Sequence, residues 1–304
     1  MPGTDSYAAI VADHCETLPE EHPGTAEAIA LLRRESEIRE GAPPARLADA
    51  IERTASYEIS PEAFLLRVPN GLVLHYRRGE GVTTSRPAAV AESEIALFLN
   101  GSVYGAIAWI NGFFPLHASA VVYDGKIHAF TGPSGYGKST LAAALGQRGM
   151  ALFADDVLVL DLSDPHQIIC LPGHKQLKLW EDALALTGTQ PGAAVRERLS
   201  KFYVKPTGGV QNEARALQHL TILRAQARYP QGPVALKGAD RLSALHAAFY
   251  RRKFCAAIME HRASFAALAK VGAMVPMSVF DRPLDKDLFD TGVDMMVEAI
   301  KSNV

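Results

Sequence analysis

The chain has 304 residues, of which 48% are hydrophobic and 21% charged, and its formal net charge is -2. This composition excludes an intrinsically disordered chain, because it provides enough apolar surface for one large domain or two ordinary ones. The near-neutral charge argues against a dedicated nucleic-acid-binding protein, so we expect no nucleic-acid partner.

The charge is unevenly distributed along the chain. Residues 1–60 hold 12 acidic and 5 basic residues, a net charge of -7, which leaves +5 for the remainder. This asymmetry favours an acidic N-terminal region beside a domain that binds anions. Cys15, Cys170 and Cys255 form no C-x-x-C pair, and the first thirty residues show no signal-peptide pattern. We therefore expect a cytoplasmic protein.

The N-terminal third predicts a small α+β domain. Residues 1–55 indicate an acidic helix and a linker in which Pro43 and Pro44 act as helix breakers. The stretch EAFLLRVPNGLVLHYRR alternates apolar and polar residues around PNG, which predicts strands near residues 63–68 and 71–77. We place the boundary of this domain at residue 112.

Residues 95–116, IALFLNGSVYGAIAWINGFFPL, carry no charge over a membrane-spanning length. The segment contains Asn100, Ser102 and Asn111, lacks a close basic flank, and runs directly into a predicted hairpin. A helix that is apolar on all sides is also typical of the core of a large protein. We predict a buried helix near residues 92–111 and expect no membrane span.

Residues 113–304 predict an α/β domain. Strands are expected near residues 117–123 and 126–131 around the turn DGK, followed by a helix over 138–148. MALFADDVLVLDL indicates a strand, an acidic turn and a second strand. Further along, LQHLTILRA predicts a buried strand, residues 240–272 a helix, AMVPMSVFDRP a strand, and the last twenty residues a closing helix.

The sequence GPSGYGKST, residues 132–140, matches the P-loop pattern G-x-x-x-x-G-K-[ST] between a predicted strand and a predicted helix. Backbone N–H groups at a helix N-terminus converge on phosphate oxygens, Lys138 reaches the β- and γ-phosphates, and Ser139 offers its hydroxyl to Mg²⁺. The pattern therefore predicts ATP and Mg²⁺ as cofactors. The predicted nucleotide-binding residues are Gly132, Pro133, Ser134, Gly135, Tyr136, Gly137, Lys138, Ser139 and Thr140.

Two further features fit phosphoryl transfer. Asp155 and Asp156 follow an apolar strand, where a strand beside the P-loop strand would end next to the phosphates. One carboxylate can serve the metal while the other takes the acceptor's proton; the alternative is a solvent-facing acidic turn. His117 begins the strand that leads to the P-loop strand, where it is either a core histidine or an active-site residue.

On these residues the chain resembles the HPr kinase/phosphorylase superfamily over about residues 113–182. His117 lies fifteen residues before Gly132, Asp156 lies eighteen after Lys138, and GQRGMALFADDV resembles the family's KRG…VADD segment. The resemblance implies that His117 is an active-site residue and that Asp156 accepts the proton of a serine hydroxyl. Asp155 would then orient His117 or assist the metal.

The chain departs from that family after the aspartates. The EIRGLGI-type signature is replaced by LPGHKQLKLWEDAL, in which Glu181 falls near an expected metal-proximal glutamate. The combination PLHASAVV…GPSGYGKSTLAAAL…ADDV…LKLW is similar to HPr-kinase-like kinases of lasso-peptide and related peptide-modification systems. That similarity implies a C-terminal serine of a precursor peptide as acceptor. The alternatives are an HPr(Ser) kinase/phosphorylase and a nucleotide-binding regulatory module without transfer activity.

The predicted partner is therefore a peptide or small protein that carries a serine, and the resemblance also implies a homo-oligomer. RLSKFYVKP predicts a mobile loop whose Lys201 and Lys205 stabilise transition-state charge. Trp180 and Tyr203 are expected to be packing residues. The basic residues that could meet phosphate or an acidic acceptor, or simply lie on a solvated surface, are Lys175, Lys178, Lys201, Lys205, Arg251, Arg252 and Lys253.

Overall fold

The polypeptide is built on two large β-sheets in a computed structural model, which describes residues 23–195, 200–227, 231–283 and 285–302. Residues 1–22, with Cys15 and part of the predicted acidic segment, lie outside the described residues. The predicted α/β fold is confirmed by the elements below. The predicted domain boundary at residue 112 stays a prediction.

The first sheet has six strands in the order β1-β6-β5-β4-β3-β2 and follows helix α1, Pro23–Glu35. Its pairs are antiparallel except β1 with β6. The predicted hairpin is confirmed as β4 and β5, whereas the predicted linker contains two short strands that its sequence did not indicate. The strands are β1 Ile38–Glu40, β2 Glu52–Arg53, β3 Tyr57–Ile59, β4 Ala63–Arg67, β5 Val73–Arg77 and β6 Gly81–Ser85.

The apolar segment forms helix α2, Glu92–Phe98, a π-helical turn, Leu99–Val103, and helix α3, Tyr104–Ile110. The whole helix is long and apolar enough to cross a membrane, yet 78% of its apolar window is buried inside the protein. It contacts β4 and β5 of the first sheet and two strands of a second sheet, Phe114–Tyr123 and Val157–Asp161. Protein therefore covers its apolar surface, as the buried-helix prediction expected.

The second sheet has eight strands in the order β11-β10-β7-β8-β14-β16-β15, with β9 also paired to β7. Its centre is parallel, because β14 pairs in parallel with both β8 and β16. The strands are β7 Phe114–Tyr123, β8 Lys126–Thr131, β9 Ala151–Ala154, β10 Val157–Asp161, β11 Ile169–Leu171, β14 Arg215–Ala227, β15 Val234–Ala235 and β16 Met277–Pro283.

A separate two-stranded sheet pairs β12, Leu177–Trp180, with β13, Lys201–Val204. The expected mobile loop RLSKFYVKP thus contains a paired strand, and its residues 198 and 199 lie outside the described residues. Leu177, Leu179 and Val204 belong to the apolar core, so the pair packs one face against the protein.

The remaining helices are α4 Lys138–Gln147, α5 Glu181–Thr187, α6 Ala239–Ala248, α7 Arg252–Ile258, α8 His261–Met274 and α9 Phe289–Ser302, the last preceded by a 3₁₀ turn at Lys286–Leu288. The single helix predicted over residues 240–272 is wrong, because the chain breaks it twice. Arg251 adopts a left-handed backbone conformation with φ +47°, and Glu260 is extended. Apolar spacing alone does not reveal such breaks.

One apolar core cluster joins the two large sheets. It includes Phe64 and Tyr76 of the first sheet, Trp109 of α3, and Leu116 and Leu158 of the second. The indole N–H of Trp109 donates a hydrogen bond to the backbone oxygen of Tyr250 at 2.9 Å. Helix α3, which contacts β4 of the first sheet, therefore supports the segment that carries Tyr250.

Candidate functional site

The P-loop follows β8 and opens α4, as its sequence predicted. Gly132 has φ +145°, and a Cβ there would lie 2.6 Å from the backbone oxygen of Leu223 on the adjacent strand. Gly137 precedes the helix with φ +85°, a left-handed conformation that other residues rarely adopt. Only glycine fits at both positions, so the loop can wrap its N–H groups around an anion.

Lys138 is buried beside this loop. Its Nζ donates hydrogen bonds to the backbone oxygens of Gly132 at 2.8 Å and Pro133 at 3.2 Å. Burial lowers the pKa of Lys138, and the carboxylates of Asp155 and Asp156 oppose that shift. The side chain therefore spans the loop at the place where a triphosphate would bring negative charge.

Asp155 is buried and faces the start of α4. Its Oδ1 accepts hydrogen bonds from Ser119 Oγ at 2.6 Å and from Ser139 Oγ at 2.8 Å. Its Oδ2 accepts one from the backbone N–H of Lys178 at 3.3 Å. Sequence reasoning missed Ser119, which lies on β7 two residues after His117 and fixes the carboxylate toward Ser139.

Ser139 and Asp155 form the oxygen pair that a Mg²⁺ ion would bind. Among the described residues, no group of three or more His, Cys, Asp and Glu side chains could hold a metal ion. A hydroxyl and a carboxylate nevertheless fit Mg²⁺, which takes few protein ligands and completes its shell with phosphate oxygens and water. The pair therefore suits a metal that arrives with a nucleotide.

Asp156 points to a different partner from Asp155. Its Oδ1 lies 3.2 Å from His117 Nδ1, and its backbone oxygen lies 3.1 Å from the same nitrogen. The antiparallel pairing of β7 with β10 places His117 opposite Val157 and so beside Asp156. The alternative in which Asp155 orients His117 does not match these contacts, because Asp156 is the carboxylate that holds the imidazole.

Opposing effects determine the charge of Asp156. Burial raises its pKa, but the hydrogen bond from His117 and the positive charges of Lys178 and Lys201 outweigh burial and lower the pKa to about 2. The backbone of Asp156 is left-handed, with φ +74°, a conformation that aspartate tolerates better than most residues. Asp156 is therefore an ionised carboxylate, held in a turn that directs it away from Asp155.

The π-helical turn lies against this carboxylate. A Cβ built on Gly101 would be 4.0 Å from Asp156 Oδ2 and 3.5 Å from the hydroxyl oxygen of Tyr250. Such turns often occur at functional sites because they redirect a helix locally. The buried helix thus provides a wall of the site, which its apolar sequence did not indicate.

A cavity of about 410 Å³ brings the P-loop and both aspartates together. It is also lined by Lys178, Lys201 and Arg282, so four cations including Lys138 surround it. Burial lowers the pKa of Arg282, and its Nε is buried without a hydrogen-bond partner. Arg282 was missed because it lies near the end of β16, far from the P-loop in sequence.

Several predicted residues are not part of this cluster. Glu181 is exposed and does not line the cavity, whereas Asp182 does. Successive side chains of a helix point about 100° apart, so the first two residues of α5 face different ways. The metal assignment of Glu181 therefore has no support in the geometry.

The other basic and aromatic residues separate into three groups. Lys175 is buried, with its Nζ hydrogen-bonded to the backbone oxygen of Phe153. Lys205 and Lys253 are exposed and line neither the P-loop cavity nor the cavity beside it.

Trp180 was expected to be a packing residue, but it is 46% exposed and lines the P-loop cavity, with Lys201 Nζ 5.5 Å from its ring centroid. Tyr203 lies beneath Lys178, with 6.0 Å between Nζ and ring centroid.

No protein-family model and no curated protein matches the sequence. Among solved structures, the chain is similar to the HPr(Ser) kinase/phosphatase from Coxiella burnetii. The two share 16% sequence identity, with 62% of this chain and 97% of that chain covered, at a TM-score of 0.33. A likeness this weak carries no conclusion about activity, so function rests on the geometry of the site.

Proposed function

We propose that the protein is an ATP-dependent kinase of the HPr-kinase-like type, which transfers the γ-phosphoryl group to a serine hydroxyl of a peptide or small protein. One observation carries the proposal. The carboxylate of Asp156, paired with His117, lines the same cavity as Lys138 and Ser139 of the P-loop. A proton acceptor and a phosphate-binding loop in one cavity form the minimal machinery for phosphoryl transfer to a hydroxyl.

The P-loop side would bind the nucleotide. Backbone N–H groups at the start of α4 hydrogen-bond to the phosphates, while Lys138, Lys178 and Lys201 place positive charge around them. Ser139 and Asp155 would hold Mg²⁺, which would compensate the negative charge of the phosphates when bound. Arg282 would gain in these phosphates the partner that its buried Nε lacks.

The transfer step assigns different roles to the two aspartates. The acceptor hydroxyl oxygen attacks the γ-phosphorus and forms a new P–O bond, and the bond from that phosphorus to the β–γ bridging oxygen breaks, so that ADP leaves with its electron pair. The hydroxyl proton passes to the carboxylate of Asp156, which is ionised at neutral pH. His117 keeps that carboxylate oriented through its 3.2 Å contact.

For the acceptor, we propose a serine at the C-terminus of a flexible peptide, of the kind that lasso-type precursors carry. A flexible chain end enters a cleft with little distortion, whereas a serine within a folded protein needs a docking surface. Cytoplasmic location and self-association remain predictions from the sequence.

A direct assay tests the proposal. The purified protein is incubated with ATP–Mg²⁺ and either a serine-terminated peptide or purified HPr, and intact masses are measured. We expect a gain of one phosphate on the peptide. Phosphorylation of HPr alone would replace the peptide by the sugar-regulation alternative. ATP binding without transfer to any acceptor would favour the regulatory module.

A further inference from the structure

A second cavity, of about 590 Å³, adjoins the site and shares His117 and Asp156 with the P-loop cavity. Its remaining lining comes from other elements: the end of β8 with the first residues of the P-loop, one face of α6, and the segment from Phe249 to Arg252. His117 and Asp156 therefore form the partition between two cavities. A group in the second cavity would meet the proton-accepting carboxylate from the side away from Lys178 and Lys201.

The wall formed by α6 consists of small side chains. It presents Ala244, Ala247 and Ala248 to the cavity, and Ile222 of β14 completes the apolar surface. Small residues leave room for an extended chain without offering it hydrogen bonds. Selectivity for a polar ligand must then come from the Tyr250–Arg252 side.

Arg251 is the cation that this side holds in place. Its Nη2 donates a hydrogen bond to Ser102 Oγ at 2.7 Å, and its guanidinium carbon lies 5.8 Å from the ring centroid of Tyr250 and 5.7 Å from that of Phe254. Ser102 and Phe254 line a neighbouring cavity of about 440 Å³, so Arg251 lies between that cavity and this one. The residue is exposed, and its backbone is held in the left-handed region with φ +47°. Strained backbone of this kind persists where surrounding structure fixes it, often at binding sites.

Within the described part of the chain, no carboxylate forms an ion pair with Arg251, whose contacts are with a hydroxyl and two aromatic rings. A rigid guanidinium with free donors matches a carboxylate in geometry as well as charge, because its N–H fork binds two oxygens at once. Lys175, Lys178, Lys201 and Lys205 were candidates for contact with either phosphate or an acidic acceptor. Lys178 and Lys201 line the P-loop cavity, on the side of the phosphates.

We propose that this second cavity is the acceptor site and that Arg251 binds a carboxylate of the acceptor close to its reacting hydroxyl. The proposal rests on the proposed kinase activity and specifies its substrate class: a slender, hydroxyl-bearing chain with an anionic group beside the hydroxyl. With the carboxylate on Arg251, the hydroxyl faces Asp156 while the phosphates occupy the other cavity. The γ-phosphate would then approach His117 and Asp156 from the P-loop cavity, and the hydroxyl would approach them from the second cavity.

The test uses two probes and two variants of the full chain. The probes are an acetylated hexapeptide ending in serine with a free C-terminal carboxylate, and the same peptide amidated. The variants are Arg251→Gln, which removes the charge, and Lys253→Gln, which removes a neighbouring exposed charge outside the cavity. Peptide binding is measured by calorimetry without nucleotide, and ATP binding is measured separately.

We expect the unmodified protein to bind the free acid about tenfold more tightly than the amide, as for one charge-assisted contact. Arg251→Gln should abolish that difference, whereas Lys253→Gln should keep it, and ATP affinity should not change in either variant. Equal binding of acid and amide by the unmodified protein, or no binding of either at millimolar concentration, would overturn the proposal. So would an acid preference that survives in Arg251→Gln.

The outcome is separable from that of the kinase proposal. Charge-selective peptide binding without phosphoryl transfer would retain the site and reject the kinase. Transfer to both peptides with the same KM would retain the kinase and reject the role of Arg251.

Discussion

The two cavities that meet at His117 and Asp156 are lined by different kinds of side chain. The P-loop cavity is lined by the start of α4 and by Lys138, Lys178, Lys201 and Arg282. The second cavity has an alanine wall and the anchored guanidinium of Arg251. The triphosphate is the same chemical group in every reaction cycle, so a cavity with many fixed positive charges can bind it. The other side can discriminate with few contacts, because a single well-placed cation penalises acceptors that lack its counterpart.

We expect the largest effect from a change at Lys138, in the P-loop cavity. Lys138→Ala removes the buried ammonium that spans the P-loop, and we expect ATP turnover to fall by about a thousandfold, the scale of losing a preorganised charge at the transferring group. Steady-state ATP consumption with acceptor present measures it. Lys205→Ala, an exposed lysine outside both cavities, is the matched control and should retain activity. Normal turnover in Lys138→Ala would remove the phosphates from this cavity.

A second change separates binding from chemistry at the partition. Asp156→Asn keeps the shape of the side chain but loses the base, so we expect transfer to fall by roughly a hundredfold or more while ATP affinity stays within about tenfold. Asp155→Asn should instead weaken Mg²⁺-dependent nucleotide binding, since Asp155 contacts Ser139. Single-turnover rates and nucleotide titrations distinguish them. If only Asp155→Asn lost transfer at saturating ATP–Mg²⁺, the two roles would be reversed.

A third change sharpens the assignment of charge to the P-loop side. Arg282→Met removes a half-buried guanidinium whose buried Nε has no partner, so we expect nucleotide affinity to fall about tenfold while the nucleotide-free protein becomes no less stable. Isothermal titration and urea unfolding measure the two effects. Arg224→Gln, which breaks an exposed pair with Asp281 nearby, should leave nucleotide affinity unchanged. Equal losses of stability and affinity in Arg282→Met would indicate a purely structural arginine.

The smallest effect on ligand binding concerns β8, the strand that supports both cavities, where we expect a change in stability only. Burial, with added repulsion from His219 and Lys126, lowers the pKa of His128 to about 4. The unfolded chain therefore binds a proton that the folded chain refuses between about pH 6.5 and pH 4, and stability falls as pH drops through that window. Across this whole window, the free energy of unfolding falls by on the order of 3 kcal/mol because of this one histidine.

His128→Leu should accordingly flatten the dependence of unfolding free energy on pH, without removing it, because burial also lowers the pKa of His174 to about 4. Denaturant titrations from pH 7.5 to pH 4 measure the slope. An unchanged slope would mean that His128 is protonated in the folded protein. Nucleotide and peptide affinities at pH 7.5 should not change, which separates this strand from the two cavities it supports.

The sequence predicted the P-loop, its flanking strand and helix, and the pair of aspartates, because these lie within forty residues and follow local rules of spacing. It did not predict Arg282, which reaches the P-loop only through the parallel pairing of β14 with β16. Nor did it predict the helix break at Arg251, which depends on tertiary contacts with Ser102 and the rings of Tyr250 and Phe254. The contact of His117 with Asp156 rather than Asp155 likewise depends on the left-handed backbone at Asp156.

The parallel centre of the second sheet has a consequence for biosynthesis. The P-loop strand, β8, ends at Thr131, but the strand that pairs with it directly spans Arg215–Ala227, and the strand carrying Arg282 ends at Pro283. At typical translation rates the ribosome needs on the order of 5–20 s to make the chain from Thr131 to the end of the pairing strand at Ala227. During this interval one edge of β8 has no native neighbour. A chaperone that binds extended apolar segments would bind the unpaired edge of β8 during this interval, before any nucleotide could bind.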